Sequence, residues 1–322
     1  MGGGLTAMSQ IEEPLTGPAV IGPVVVGPVV VGTGAYPPAP GEREPRDPRV
    51  SRARYAASCL ARRPGLVVAI GWMALVVFAA FLPGIVAPDS PLAVTIDIKT
   101  APSVHHLFGT DEIGRDLFSR VVYGSQLTMR ASLIAIAVGL IIGAPLGLLS
   151  GYAGGWLDSA LMRLVDVLLA IPSLLLSLAV IIALGFGITN VALAVGLAFV
   201  GSSARVTRGE VLKIRQHPYV EAAVVGGARR GRVLFRHVLP NSIAPVLTLA
   251  ALGFGEAILA VAALSFLGFG VQPPAPEWGA LVNDGRDYLN SAWWLTTLPG
   301  LTIVATVLAA NRISRAFGQV NT

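Results

Sequence analysis

Residues 205–245 read RVTRGEVLKIRQHPYVEAAVVGGARRGRVLFRHVLPNSIAP and hold eight of the chain's 23 Lys and Arg residues. Apolar runs lie on either side, Ile188–Ala204 before it and Ser242–Gly270 after. A basic stretch with Gly226-Gly227 at its middle cannot rest in hydrocarbon, where each Lys or Arg costs roughly 2.5–3.5 kcal/mol on insertion scales. It must lie in water between two membrane crossings, where another protein can handle it.

Composition agrees with that reading. The chain is 54% hydrophobic and only 13% charged, with a mean hydropathy of +0.71, outside the soluble globular range. Six runs carry at most one ionisable side chain and are long enough to cross a bilayer as helices. They are Gly65–Pro88, Ala131–Leu157, Val167–Phe186, Ile188–Ala204, Ser242–Gly270 and Ala292–Asn311. None alternates polar with apolar residues as a barrel strand does. The expected fold is an all-α membrane protein with six transmembrane helices.

Six spans put both termini on one side. That side then carries 18 of the basic residues, against five (Lys99, Arg115, Arg120, Arg130 and Arg286) on the other. The positive-inside rule makes the 18-residue side cytoplasmic. The net charge of +5 is therefore a topology signal and gives no reason to invoke nucleic acid. The expected organisation is a disordered cytoplasmic tail over 1–60, rich in Gly, Pro and Val, then the first span with an external amphipathic segment over 61–130. A transmembrane core over 131–311 contains the 205–241 loop, and 312–322 form a cytoplasmic tail. Cys59 is the one cysteine, so there is neither a disulfide framework nor a thiol metal site.

Local patterns predict further features. Pro218 suits a first helical turn, and Tyr219–Val225 can make two turns of helix. Ala222 and Ala223 keep that helix slim, Glu221 can form a charge-assisted bond at its start, and Gly226 and Gly227 can end it through a left-handed turn. Arg229, Arg230, Arg232 and Arg236 follow, and topology with lipid phosphate contact accounts for most of them. Gly139, Gly143, Gly147 and Gly151 repeat at i, i+4 and predict a seam for close helix packing. Thr110 reads as the N-cap of a surface helix with Ile113, Leu117, Val121 and Gly124 on one face. Asp166 is expected to pair with Arg163. Glu256 is expected to face the bundle interior, water or a partner, as an interhelical hydrogen bond or as a substrate or proton site. Trp278, Trp293 and Trp294 suit anchors at the outer interface.

Glu221-Ala222-Ala223, three residues, Gly227, nine residues, His237, one residue and Leu239-Pro240-Asn241 resemble the EAA signature of ABC importer permeases. His237 stands where many members have Ile, and the dipeptide/oligopeptide branch commonly has His there. Gly109-Thr110-Asp111-Glu112-Ile113-Gly114-Arg115-Asp116, Pro274-Ala275-Pro276-Glu277-Trp278-Gly279 and Trp293-Trp294 with Pro299-Gly300 are similar to elements of that branch. The resemblance covers roughly residues 60–310. Beyond Ala309 the chain departs from it, reading Asn311-Arg312-Ile313-Ser314-Arg315-Ala316-Phe317 where the branch has an acidic pattern.

The resemblance implies a type I ABC importer-like permease subunit in the bacterial inner membrane. It would pair with a second, similar permease to form a path for di- or oligopeptides. Two cytoplasmic ATP-binding subunits would dock on the EAA loop through Glu221, Ala222, Ala223, Gly227, His237, Leu239 and Pro240, and an extracytoplasmic binding protein would deliver the substrate. ATP and Mg would bind the ATPase subunits, with no cofactor on this chain. The same branch serves nickel, glutathione and other small solutes, so substrate stays open.

The chain lacks a P-loop, since Lys99 follows Ile98 and Lys213 follows Leu212. His105, His106, His217 and His237 form no His-Glu-x-x-His arrangement. An ATP-independent carrier lacks support from inverted repeats or clustered intramembrane charge. A membrane-embedded enzyme lacks a nucleophile–base pair.

Overall fold

A backbone surrounded by lipid must satisfy its own N–H and C=O groups, so the long Leu, Ile, Val and Ala runs fold as helices. The computed structural model describes residues 64–320. The readings made for the N-terminal tail and Cys59 fall outside these residues. In chain order the helices are α1 (Pro64–Phe81), α2 (Pro83–Val86), α3 (Leu117–Ala153), α4 (Gly155–Ala170), α5 (Ser173–Leu184) and α6 (Ile188–Arg215). They continue as α7 (Pro218–Val225), α8 (Arg230–Val233), α9 (Leu239–Phe266), α10 (Trp278–Gly285) and α11 (Trp294–Val320). The described residues contain no strand, only two isolated bridges, Val94 with Arg115 and Thr110 with Asp116.

Five crossings are unbroken: α1, α3, α6, the run Gly231–Phe266 that contains α9, and α11. The third run of the sequence, Val167–Phe186, is a bent pair instead. Its parts, α4 and α5, meet at 93°, and together they make the sixth crossing if counted as one span. Pro172 has no N–H to give, and its ring forces Ile171 into extended backbone at φ −90°, ψ 128°.

The external segment also differs from expectation. Asp116, not Thr110, caps the helix, its carboxylate accepting from the Ser119 N–H at 2.7 Å. From there α3 runs 37 residues without a break, about 55 Å at 1.5 Å per residue, against a hydrocarbon thickness of about 30 Å. The expected surface helix is thus the first part of the second span. Leu117 and Val121 bury against Trp278, Leu281 and Leu295 in a core that also includes Ile258 and Ile303. At the other end of the chain α11 remains helical to Val320, past the expected boundary at Asn311.

The glycine ladder faces α6. A Cβ at Gly143 would stand 2.6 Å from the Val200 carbonyl oxygen, and one at Gly147 would collide with the Ala204 carbonyl. At Gly139 it would meet the Phe199 ring, and at Gly151 the side chain of Val211 at 2.9 Å. With no side chains on this stripe, α3 and α6 touch backbone to backbone. Beside the seam, Ala135, Val191, Val195, Ala257, Val261 and Leu264 form a second core that draws in α9.

Candidate functional site: the loop between α6 and α9

Pro218 opens α7 as expected, after His217 in extended backbone at φ −74°, ψ 138°. The helix ends in a Schellman motif. Gly227 takes φ +79°, its N–H bonds the Val224 carbonyl at 3.0 Å, and the Ala228 N–H bonds the Ala223 carbonyl at 3.1 Å. Gly226 stays right-handed at φ −69°, so only Gly227 carries the left-handed turn.

Two faces of α7 differ in role. Val220 is buried and packs with Val211, Ile214, Val233 and Val238, with Ala223, Tyr152 and Leu148 around them. That core fastens α7 to the C-terminal ends of α3 and α6. At 100° per residue, Glu221, Ala222 and Val225 fall on the opposite face. All three are exposed, Val225 at 88%. The carboxylate of Glu221 makes no hydrogen bond among the described residues, and the charge-assisted bond expected of it is not among their contacts. Val224 and Phe235 add exposed apolar surface beside it. Neither stood out in the sequence, although the helical spacing from Val220 places Val225 outward.

His237 lies behind this face. The Tyr219 ring sits between His217, stacked at 5.7 Å, and His237, tilted at 6.3 Å. His237 belongs to a π-helical turn, Leu234–Val238. The next residue but one explains the wide turn: Pro240 donates no N–H, and its ring crowds the carbonyl four residues back, at Arg236. The Leu239 N–H reaches Leu234, five residues away, while the Asn241 amide donates to the His237 carbonyl at 2.6 Å. The His-Val-Leu-Pro-Asn stretch thus joins loop to membrane helix through a defined irregular turn. Leu239 is half-buried there and Pro240 exposed.

Basic residues brace the same end of the bundle. Arg208 grips Asp158 on α4 with two bonds of 2.6 and 2.7 Å. Arg215 donates to the Gly151 carbonyl at 2.7 Å, and Arg205 pairs with Asp166 at 2.5 Å. The last contact replaces the expected Arg163–Asp166 pair, because α6 brings a better-placed guanidinium to Asp166 than its own helix does.

The opposite, α10-bearing end is built around buried charge. The Asp111 carboxylate is 1% exposed and accepts from Arg115 Nε at 2.6 Å and Arg120 Nη1 at 2.7 Å. Thr110, also buried, accepts from the Thr100 N–H at 2.8 Å and donates to the Asp97 carbonyl. His106 reaches Asp116 at 2.9 Å through Nδ1. Glu277 caps α10, accepting from the Ala280 N–H at 3.1 Å and the Thr128 hydroxyl at 2.9 Å. Burial pushes its carboxyl above the usual range, outweighing those hydrogen bonds. Trp278 and Trp294 are core residues rather than interface anchors: their indoles donate to the Val121 and Thr110 carbonyls at 2.8 and 3.3 Å. Trp293 alone of the three is exposed.

Comparison with known proteins places these features in a family. Residues 143–319 match the model for the binding-protein-dependent transport system inner membrane component. The dipeptide transport system permease protein DppC of Alkalihalophilus pseudofirmus is 40% identical over 251 residues, covering 77% of this chain and 81% of the relative. The di/tripeptide permease DppC of Pseudomonas aeruginosa is 42% identical over 258 residues, 78% of this chain and 85% of that protein. The glutathione permease GsiD of Pectobacterium atrosepticum is 42% identical over 214 residues, 66% and 71% of the respective chains. Among solved structures, an amino acid ABC transporter with histidines aligns with a TM-score of 0.52 at 14% identity, covering 63% of this chain and 95% of its own. The methionine ABC transporter MetNI, facing inward, aligns at 0.51 with 19% identity, over 62% and 97%. These two share the fold of the membrane domain. The chain is a multi-pass permease and belongs to the family of binding-protein-dependent transport system inner membrane components.

Proposed function

We propose that this permease imports di- or oligopeptides as one of two membrane subunits, with ATP hydrolysed by cytoplasmic partners that dock on α7. The observation that carries the coupling role is the two-faced α7. One face is locked by Val220 into a core shared with α6 and the α8–α9 entry, and the other offers Glu221, Ala222 and Val225 to a partner. A helix held this way passes a push on its outer face to the spans. Glu221, Ala222 and Ala223 then meet the ATPase groove, Gly227 sets the reversal, and His237, Leu239 and Pro240 join the loop to α9. Both termini lie in the cytoplasm on this reading, as the basic residues of the α6–α9 loop require. A second permease completes the path, and an extracytoplasmic binding protein delivers the solute. The peptide substrate rests on relatives named for dipeptide and di/tripeptide transport. Glutathione is the second reading, carried by the similarity to GsiD.

Co-expression of this chain with its partner permease, ATPases and binding protein tests the proposal in proteoliposomes. Dipeptide uptake should depend on ATP and on the binding protein. Glu221→Lys puts a cation at a helix start that is already partially positive; it should leave the chain in the membrane but reduce ATPase co-purification or uncouple hydrolysis from uptake. Uptake by that variant equal to wild type at equal expression would remove the coupling role from α7.

A further inference from the structure

A cavity of about 230 Å³ opens between α3, the α4–α5 bend, α6 and α9, and Glu256 lines it with Ile136, Ser173, Ser177, Phe199 and Ser202. Its depth follows from helix lengths. Glu256 lies ten residues before the end of α9 at Phe266, and Ala198, on the same cavity wall, lies ten residues after the start of α6 at Ile188. Ten residues of helix rise about 15 Å, half of a hydrocarbon layer of about 30 Å. Two helices of opposite direction therefore put the cavity near the middle of the membrane.

Glu256 is exposed, and its carboxylate has no hydrogen-bond or ion-pair partner among the described residues. The interhelical bond expected of it is absent. A carboxylate at this depth is costly against lipid, so the group faces water, a partner or a solute. The α4–α5 bend is an independent sign of which. Ser173 follows the non-helical Ile171-Pro172 step directly and lines the same cavity. Irregular backbone within the membrane is tolerated where it is buried in protein or borders a water-filled space, and this cavity is roomy enough for water. Phe199 supplies one wall, while Ser202 donates to the Phe199 carbonyl and Ser177 to the Ser173 carbonyl, at 3.0 and 2.9 Å. Among the residues lining the cavity, Glu256 brings the charge.

We propose that Glu256 lines the solute path at mid-membrane and holds the free α-ammonium group of a passing peptide. A lone carboxylate suits a primary ammonium, which offers three donors to its two oxygens. A single such contact is also weak enough to release the solute onward. The inference rests on the peptide-permease reading above and deepens it.

The test uses the full complex, with both permeases, the ATPases and the binding protein, in proteoliposomes supplied with a dipeptide. Glu256→Gln keeps size and loses charge, and Glu256→Asp keeps charge. Uptake should fall about tenfold in the first, the scale of one lost charge-assisted hydrogen bond, and recover in part in the second. ATPase activity stimulated by the loaded binding protein should be unchanged in both. In a Cys59→Ser background, Glu256→Cys should react with a methanethiosulfonate carrying a primary ammonium, and dipeptide under turnover should slow that reaction. Absence of dipeptide uptake by the wild-type complex would defeat the peptide reading itself. Normal wild-type uptake with Glu256→Gln equally active, or with Glu256→Cys unreactive, would overturn the role of Glu256 alone. Loss of the second permease from purified Glu256→Gln complexes would also overturn it, by assigning the carboxylate to the interface.

Discussion

Replacement of Gly227 separates backbone strain from every other effect. A Cβ built there meets no atom within 4 Å, so a side chain costs nothing in contacts. The φ of +79° is what an L residue resists. For Ala the left-handed conformation costs roughly 1–2 kcal/mol, a factor of about 5 to 30 in the population of the turn. Relaxing the turn instead gives up the Gly227–Val224 and Ala228–Ala223 hydrogen bonds, each worth about 0.5–1.5 kcal/mol, so no cheaper escape exists. Valine, branched at Cβ, fares worse than Ala, while Asn tolerates this region and should behave nearly as Gly does. The assay is dipeptide uptake per ATP hydrolysed by the reconstituted complex, at matched amounts of permease. The expected order is Gly, then Asn, then Ala at about a fifth or less of wild type, then Val. Insertion should be normal throughout, because Val220 still anchors α7. Equal coupling in Asn, Ala and Val would refute the argument that the left-handed turn fixes the helix, as would Asn failing as badly as Val.

Gly147→Leu should separate α3 from α6, since even a Cβ collides with the Ala204 carbonyl; lower yield and a lower melting temperature in detergent should follow, while Leu at Gly155, which has open space around it but φ +61°, should show only the milder cost of backbone strain. Asp111→Asn removes the charge that faces Arg115 and Arg120, both nearly fully buried; breaking such a group typically costs about 3–5 kcal/mol, so the folded fraction on size exclusion should fall sharply. Glu277→Gln tests the effect of burial on acidity. Because the folded-state value is raised, the folded chain binds the proton more tightly than the unfolded one, whose ordinary value is about 4.3. The wild type should thus gain stability relative to the Gln variant at low pH and lose it as pH rises from there through the raised value, read as the difference of their melting temperatures across a pH series.

The loop between α6 and α9 was legible because its information is local: Pro218, Gly227 and Pro240 act on their own few residues, and their effects appear in the helix start, the Schellman turn and the π turn. The glycine ladder was equally legible as a stripe, though only the fold names α6 as its partner. What failed depended on groups distant in sequence. Asp166 finds Arg205, 39 residues away, and Trp278 finds the Val121 carbonyl 157 residues back. Thr110 and Asp116 are both good capping residue types, and burial decided between them by taking Thr110 into the loop core. Hydropathy is blind to direction, so the apolar run through Pro172 looked straight. Val224, Val225 and Phe235 carry no signal in the sequence, because an apolar residue in a membrane chain reads the same whether it faces lipid, core or an exposed surface.

The seam between α3 and α6 also bears on the coupling proposed for α7. Val211, in the core that holds α7, and Phe199, on the cavity wall, belong to one uninterrupted helix. Twelve residues separate them, about 18 Å of axis. Backbone contact at Gly143 and Gly147 stiffens that length into a double rod. Partway along α6, the Phe199 ring is seated in notches left by Gly139 on α3 and Gly253 on α9. If α7 is the docking helix proposed above, a push on it reaches Phe199 along one rigid helix pair, without a relay of side-chain rearrangements between them. A single methyl in either notch would come within 2.5 Å of the Phe199 ring and force it from its seat.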